Sequence, residues 1–129
     1  MKVMKFGGTS VGRPERMQHI AGMVTKETES VIVVLSALSG TTNALVEIGD
    51  NIAKGDRGAA KQVIDKLEAH YQAFISELVK KEETLAKAKA IVAEHFEFLN
   101  IILRISFCEA LSKDILAQGE LLSTKLFCV

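Results

Sequence analysis

The hydrophobic pattern near the start of the chain predicts a strand, a helix and a second strand. Residues 3–6 are mostly apolar and are followed by two glycines, and residues 31–35 form an unbroken apolar run, VIVVL. Such a run, rich in β-branched side chains, is typical of a parallel strand that is covered on both faces. Between the two runs, residues 14–27 carry apolar side chains at helical spacing, and Pro14 suits a first helical turn. The pattern therefore predicts a βαβ unit with a right-handed crossover.

After the second predicted strand, the apolar pattern is helical to the end of the chain. Asp56 is the predicted N-cap of one long helix, and Gly119 is expected to separate the last two helices. The predicted helices cover residues 43–54, 56–81, a stretch from a break at 82–84 to about 104, then 106–118 and 120–129. Two strands cannot make a covered parallel sheet, and the last residues are apolar within a helical pattern. We therefore expect this chain to be a fragment, with further sequence supplying the rest of the sheet.

Length and composition are those of one folded domain. The chain has 129 residues, of which 48% are hydrophobic and 25% are charged, enough to bury a core. Sixteen basic residues balance sixteen acidic ones, so nothing favours nucleic acid or an anionic membrane surface as a partner. No apolar run approaches the roughly 20 residues of a membrane helix, and the start shows no signal-peptide pattern. Cys108 and Cys128 match no metal spacing, so we expect free, buried thiols in a reducing cytoplasm.

Glycines and polar residues follow the first predicted strand in the stretch KFGGTS. Gly7 and Gly8 at the carboxyl end of a strand allow a sharp turn, and the backbone N–H groups of such a turn bind anions. Lys5 can reach the same anion, and the hydroxyl groups of Thr9 and Ser10 add donors. The stretch matches neither the P-loop nor the dinucleotide-binding pattern. It predicts a phosphate site of another kind, and a plain tight turn is the alternative.

Two further stretches carry candidate chemistry. SALSGTTN follows the second strand, on the same sheet edge as the glycine pair, and its hydroxyl groups can bind a carboxylate or phosphate at a helix N-terminus. The alternative is that Thr41 or Thr42 only caps that helix. In GELLS, Glu120 can accept hydrogen bonds from an ammonium group, or can be only a dipole-favoured residue of a first helical turn. Three single histidines are expected on solvated helix faces: His19, His70 and His95.

The stretches KFGGTSVG, VVLSALSGTTNAL and GELLS, in this order, resemble the amino-terminal part of the aspartokinases, of the amino acid kinase superfamily. The resemblance covers residues 1–129, and residues 56–104 resemble the helical insertion of the monofunctional, lysine-sensitive type. It implies an α/β protein with the three-layer αβα, carbamate-kinase-like fold. This chain would hold its amino-terminal βαβ unit and a helix-rich segment. The nucleotide-binding half and the regulatory ACT domains would lie outside the chain.

The resemblance also implies an activity, the ATP-dependent phosphorylation of the side-chain carboxylate of L-aspartate to 4-phospho-L-aspartate. That reaction is the first step of lysine, threonine and methionine biosynthesis. Mg²⁺ would accompany ATP, and the full-length enzyme would be a homo-oligomer. By motif, Lys5 is the catalytic residue that neutralises charge on the transferring phosphoryl group, and no metal ligand is carried over. The other residues carried over are Gly7, Gly8 and Ser10 for the phosphate and Ser36, Thr42 and Glu120 for the aspartate.

Two other interpretations remain open. One is another amino acid kinase, acting on carbamate, acetylglutamate, glutamate or uridylate, although TSV at residues 9–11 and TTN at residues 41–43 disfavour it. The other is a noncatalytic helical interaction module in which the glycine pair is only a structural turn. Aspartate carries its own nucleophilic carboxylate, which fits the lack of a convincing histidine or aspartate base. We expect residues 1–129 alone to be inactive.

Overall fold

In a computed structural model of the protein, which describes residues 1–104 and 109–129, two parallel strands are joined to a set of helices. The predicted βαβ unit is confirmed, because the strands pair in parallel with Lys2 opposite Val31 and Phe6 opposite Leu35. None of the described helices is long and apolar enough to cross a membrane. The elements in chain order are β1 (Lys2–Phe6), α1 (Gly8–Val11), α2 (Pro14–Thr25), β2 (Val31–Leu35), α3 (Thr41–Ala53), α4 (Arg57–Leu78), α5 (Glu82–Ile102) and α6 (Glu109–Cys128).

The two faces of the sheet differ in burial. Phe6 and Leu35 pack against the core, whereas Val3, Ile32 and Val34 on the opposite face are 65%, 50% and 44% exposed. This division follows from the alternation of side chains along each strand. Within the described residues, the strands are therefore covered on one face only, whereas the sequence predicts cover on both.

The core lies between the covered sheet face and the four long helices. α3 packs against α4 and α6, and α5 packs against both of those helices. Asp56 caps α4 as predicted, because its side chain accepts a hydrogen bond of 3.0 Å from the backbone N–H of Ala59. The predicted break at residues 82–84 lies at residues 79–81 instead. Large buried side chains fill the space between the helices: Leu45, Ile48, Ile64, Tyr71, Ile75, Phe96, Leu99, Ile102 and Leu122.

The predicted break at Gly119 is wrong, because α6 runs through it without interruption. A Cβ on Gly119 would stand 2.8 Å from the Cβ of Ala37 and 3.3 Å from Cγ2 of Thr41. Glycine therefore serves close packing against the segment after β2 rather than the end of a helix. The predicted start of a helix at residue 106 lies outside the described residues.

His95 is also placed differently from its prediction. Its side chain is only 5% exposed, and its Nδ1 lies within hydrogen-bond distance of Oε1 of Gln118 on α6. The reason is its position on the buried stripe of α5, three residues after Val92 and four before Leu99. A histidine at this spacing lies on the apolar face of the helix and not on its solvated face.

The remaining predictions on histidine and cysteine are confirmed in part. His19 and His70 are exposed, as predicted. Cys128 has a free thiol, but it is exposed rather than buried because it lies outside the stripe that Leu122 and Leu126 bury. Cys108 lies outside the described residues.

Candidate functional site

The residues after β1 form one helical turn rather than an open loop. Gly7 precedes α1 with backbone angles open to any residue, φ −77° and ψ 172°. The backbone N–H groups of Ser10 and Val11 donate to the Gly7 carbonyl, at 3.0 and 3.3 Å. Two of the N–H groups in the predicted anion-binding turn therefore form hydrogen bonds within the turn itself.

The segments after β1 and β2 are in direct contact. The Ser39 hydroxyl donates to the Gly8 carbonyl at 3.1 Å, and a Cβ on Gly8 would stand 2.9 Å from the carbonyl oxygen of Ala37. The backbone N–H of Ser36 donates to the Phe6 carbonyl at 3.1 Å, which continues the parallel pairing past the strands. The prediction that the first two motifs meet at one edge of the sheet is confirmed.

Neither threonine of the second motif caps α3. Gly40 occupies the N-cap position with φ +82°, a left-handed conformation that glycine adopts without strain, and no side chain in the described part of the protein caps the helix. Thr41 is buried, with its Oγ1 2.9 Å from the Tyr71 hydroxyl oxygen, whereas Thr42 is exposed. The capping alternative is therefore wrong. The first turn of α3 instead presents Thr42 to solvent beside the contact between the two segments.

Sequence reasoning missed Tyr71 of α4, whose hydroxyl lies at the second motif. Burial raises the pKa of Tyr71 to about 12; the hydrogen bond to Thr41 opposes the rise and the negative charge of Glu120 adds to it. The phenol is therefore neutral at ordinary pH. The available signal was its spacing, four residues after Leu67 and three before Phe74 on the buried stripe, since a buried tyrosine needs a partner for its hydroxyl.

Glu120 lies near the middle of α6, not in a first helical turn. The dipole alternative is therefore wrong, because that effect is confined to the first turn. The packing of Gly119 against Ala37 and Thr41 places the neighbouring Glu120 beside the second motif, where its charge acts on Tyr71. The third motif thus joins the site through a glycine contact in the middle of a helix.

Lys5 and Ser10 lie exposed at the margin of this arrangement. Lys5 is opposite Val34 in the strand register, on the uncovered face of the sheet. Arg16, which sequence reasoning missed, donates from Nη1 to the Thr9 carbonyl at 2.8 Å and so ties α2 to the first motif. An open cavity of about 400 Å³ lies beside this tie, and its lining includes Ser10.

A family model described as the amino acid kinase family matches residues 1–128. The chain belongs to the amino acid kinase family. The chain is 32% identical over 127 residues to the lysine-sensitive aspartokinase 3 of Escherichia coli, a match covering 97% of this chain and 27% of that protein. It is 35% identical over 132 residues to the chloroplastic aspartokinase 3 of Arabidopsis thaliana, covering 97% of this chain and 22% of that protein.

Solved structures of aspartokinases match the fold of the chain. The crystal structure of E. coli aspartokinase III with aspartate and ADP, in the R-state, has a TM-score of 0.73 at 28% identity. The structure of that enzyme with lysine and aspartate, in the T-state, has a TM-score of 0.76 at 27% identity. Both matches cover 98% of this chain and 28% of the solved one. The predicted fold class is confirmed, and the chain spans about a quarter of the length of these relatives.

Proposed function

We propose that the chain contributes the aspartate-binding and phosphoryl-facing part of an aspartate kinase. The reaction transfers the terminal phosphoryl group of ATP to the side-chain carboxylate of L-aspartate. The observation that carries the proposal is the convergence of the three motifs, because Gly8 and Gly119 both pack against Ala37 of the second. The match to an aspartokinase solved with aspartate and ADP supports this pair of substrates.

The first motif is proposed to face the phosphoryl group. Lys5 supplies a positive charge from the end of β1, and Gly7, Gly8 and Ser10 lie beside the phosphate oxygens. Gly7 supports this assignment, because its backbone angles suit any residue and nothing lies within 4 Å of where a Cβ would stand. The packing of the described chain therefore does not require glycine at this position, whereas a phosphate oxygen approaching the backbone does.

The second and third motifs are proposed to hold the aspartate. The hydroxyl groups of Ser36 and Thr42 bind its carboxylates, and the Glu120 carboxylate accepts hydrogen bonds from its ammonium group. The substrate's own carboxylate is the nucleophile, so these residues need only to position it and to balance charge. A kinase of carbamate, acetylglutamate or uridylate would require a different partner for Glu120, since these substrates carry no ammonium group.

Mg²⁺ is proposed to accompany ATP and to be held largely by its phosphates and by water, since Mg²⁺ in such sites takes only one or two protein carboxylates. Over residues 1–104 and 109–129, no group of three or more His, Cys, Asp or Glu side chains could hold a metal ion. We therefore assign no step of the reaction to a metal ligand of this chain. The wider proposal includes a cytoplasmic, homo-oligomeric enzyme of lysine, threonine and methionine synthesis, with α4 and α5 as its helical insertion over residues 56–104.

We expect no turnover from residues 1–129 by themselves, because they span only 27% of the E. coli relative. Aspartate-dependent ADP production from this chain alone would contradict that expectation. The activity is therefore tested in a chimera, in which residues 1–129 replace the matching segment of the E. coli lysine-sensitive aspartokinase 3.

In this chimera, Lys5→Ala should lower kcat roughly a hundredfold or more, since it removes a charge aimed at the transferring group. The unfolding temperature should stay unchanged, because Lys5 is exposed. Lys2→Ala is the matched control, since Lys2 is exposed on the same strand and pairs with Glu27 at 2.9 Å. An active chimera in which both variants keep the wild-type rate would overturn the role of Lys5. A well-folded chimera without aspartate kinase activity would overturn the proposed function.

A further inference from the structure

A buried pair of hydroxyl groups lies directly behind the proposed aspartate site. Thr41 of α3 and Tyr71 of α4 are both fully buried, and their side-chain oxygens are 2.9 Å apart. The Tyr71 ring packs against Phe96 of α5, with ring centroids 5.8 Å apart at an interplanar angle of 59°. The Tyr71 ring is thus packed against α5 while its hydroxyl meets Thr41 of α3.

Thr41 is also the point at which α6 meets α3. A Cβ on Gly119 would stand 3.3 Å from Cγ2 of Thr41 and 3.4 Å from Cδ1 of Leu45. Thr41 is therefore contacted by α4 through its hydroxyl and by α6 through its methyl group. Thr41 directly precedes Thr42 on α3, and Gly119 directly precedes Glu120 on α6. The contact between Thr41 and Gly119 therefore lies next to both of these proposed substrate ligands.

The start of α3 depends on this pair for a side-chain tie. Gly40 has no side chain with which to cap the helix, and no other side chain of the described residues caps it. If the phenol hydroxyl is lost, the Thr41 hydroxyl becomes a buried polar group without its partner. Leaving such a group unpaired is unfavourable, which favours a shift of the first turn toward water.

We propose that Tyr71 is a positioning residue of the aspartate site. Through its hydrogen bond to Thr41 it fixes the first turn of α3 against α6, and so holds the Thr42 hydroxyl and the Glu120 carboxylate at the separation that aspartate requires. This inference rests on the proposed function. It assigns to α4, a helix with no motif of its own, a part in substrate binding but none in phosphate binding.

The test measures substrate constants in the active chimera. Tyr71→Phe keeps the ring and removes the hydroxyl, and should raise KM for aspartate about five- to tenfold, the effect of about one hydrogen bond. KM for ATP should stay within about twofold. Thr41→Val should behave in the same way, and Thr41→Ser, which keeps the hydroxyl, should restore KM toward the wild-type value.

Ile75→Val is the matched control, because Ile75 is fully buried on the same helix and its loss of one methylene also lowers stability. A purely structural role for Tyr71 predicts that Ile75→Val and Tyr71→Phe change KM for aspartate equally, and that result would overturn the inference. The double variant Tyr71→Phe, Thr41→Val should be no worse than either single variant, since both remove one shared bond. If the losses in aspartate binding of the two single variants add in full in the double variant, the two hydroxyl groups do not act through one shared bond, and the inference is overturned.

The two proposals fail differently. An active chimera whose aspartate KM is unchanged by Tyr71→Phe and by Thr41→Val overturns this inference and leaves the proposed function standing. A folded chimera that does not phosphorylate aspartate overturns the proposed function, and this inference with it.

Discussion

Gly119 and Ala37 approach so closely that a Cβ added to Gly119 would stand 2.8 Å from the Cβ of Ala37. Real Cβ atoms do not tolerate that separation, so α6 can lie at this distance from the segment after β2 only with glycine at position 119. The distance matters because Glu120 follows immediately on α6. The glycine of the third motif therefore determines where the glutamate of that motif lies relative to the second.

Gly119→Ala should therefore destabilise the chain, even though alanine is the better helix former. Overpacking of this kind costs roughly 1–3 kcal/mol, which exceeds the gain of up to about 1 kcal/mol in helix propensity. Gly22→Ala is the matched control, because Gly22 lies inside α2 with nothing within 4 Å of its added Cβ. Urea unfolding should show a loss for the first variant and a gain for the second. Equal gains in both would contradict the close packing of α6.

The two neighbouring glycines of the first motif should respond in opposite ways to alanine. Gly7→Ala should leave stability unchanged or raise it by about 0.4–1 kcal/mol, because its φ of −77° suits alanine and the space around it is open. Gly8→Ala should lower stability by roughly 1–3 kcal/mol, because the added Cβ would stand 2.9 Å from the backbone oxygen of Ala37. Thermal unfolding distinguishes the two.

In the chimera, Gly7→Ala should nevertheless lower phosphoryl transfer, since the proposed function places a phosphate oxygen in the space that its Cβ would fill. A stable Gly7→Ala variant with the wild-type rate would remove Gly7 from the phosphate site. It would leave the contact between Gly8 and Ala37 unaffected.

Tyr71 should make stability fall at high pH. Its pKa is raised to about 12 in the folded protein, against an ordinary value near 10 in the unfolded chain. Between those pH values the folded state keeps a proton that the unfolded state has lost, so the free energy of unfolding decreases as pH rises. The contribution of neutral Tyr71 to the free energy of unfolding is fully present below about pH 10, and it amounts to about 2–3 kcal/mol.

Tyr71→Phe is less stable at neutral pH but removes this dependence, so its unfolding free energy should fall less steeply than that of the wild type from pH 10 to 12. Urea unfolding at a series of pH values measures the difference between the two slopes, in which the titration of lysines common to both proteins cancels. Parallel slopes would show that the phenol is not desolvated.

His95 and Gln118 should couple in a double-mutant cycle. The Gln118 Nε2 group donates to the carbonyl of Asp114 at 2.9 Å, so its Oε1 accepts from Nδ1–H of the buried His95. Gln118→Met should cost roughly 1–3 kcal/mol, because it leaves that N–H buried without its acceptor. Adding His95→Phe should recover part of the loss, since both polar partners are then apolar. Simple addition of the two losses, measured by chemical unfolding, would argue against the bond.

The local pattern predicted the strands and the N-cap Asp56 because each depends on neighbouring residues in the chain. β2 lies at residues 31–35 as predicted, and Asp56 bonds to an N–H only three residues away. The errors at Gly119 and His95 have a different origin. Whether a glycine ends a helix or packs against a distant segment, and whether a histidine faces water or another helix, depends on residues far away in sequence. Each motif consists of residues that are close together in the chain, so the sequence alone could indicate the candidate site. Tyr71 and Arg16 reach that site from other helices, and the sequence alone did not indicate them.

The alternation along β1 has a consequence for how the chain can vary. Phe6 faces the core and Lys5 faces away from it, and the pairing of Phe6 with Leu35 fixes this order. Because side chains change face at every residue, a slip of β1 by one residue against β2 would bury the Lys5 ammonium group and expose Phe6. Substitutions along β1 that preserve this register therefore keep the lysine in reach of solvent.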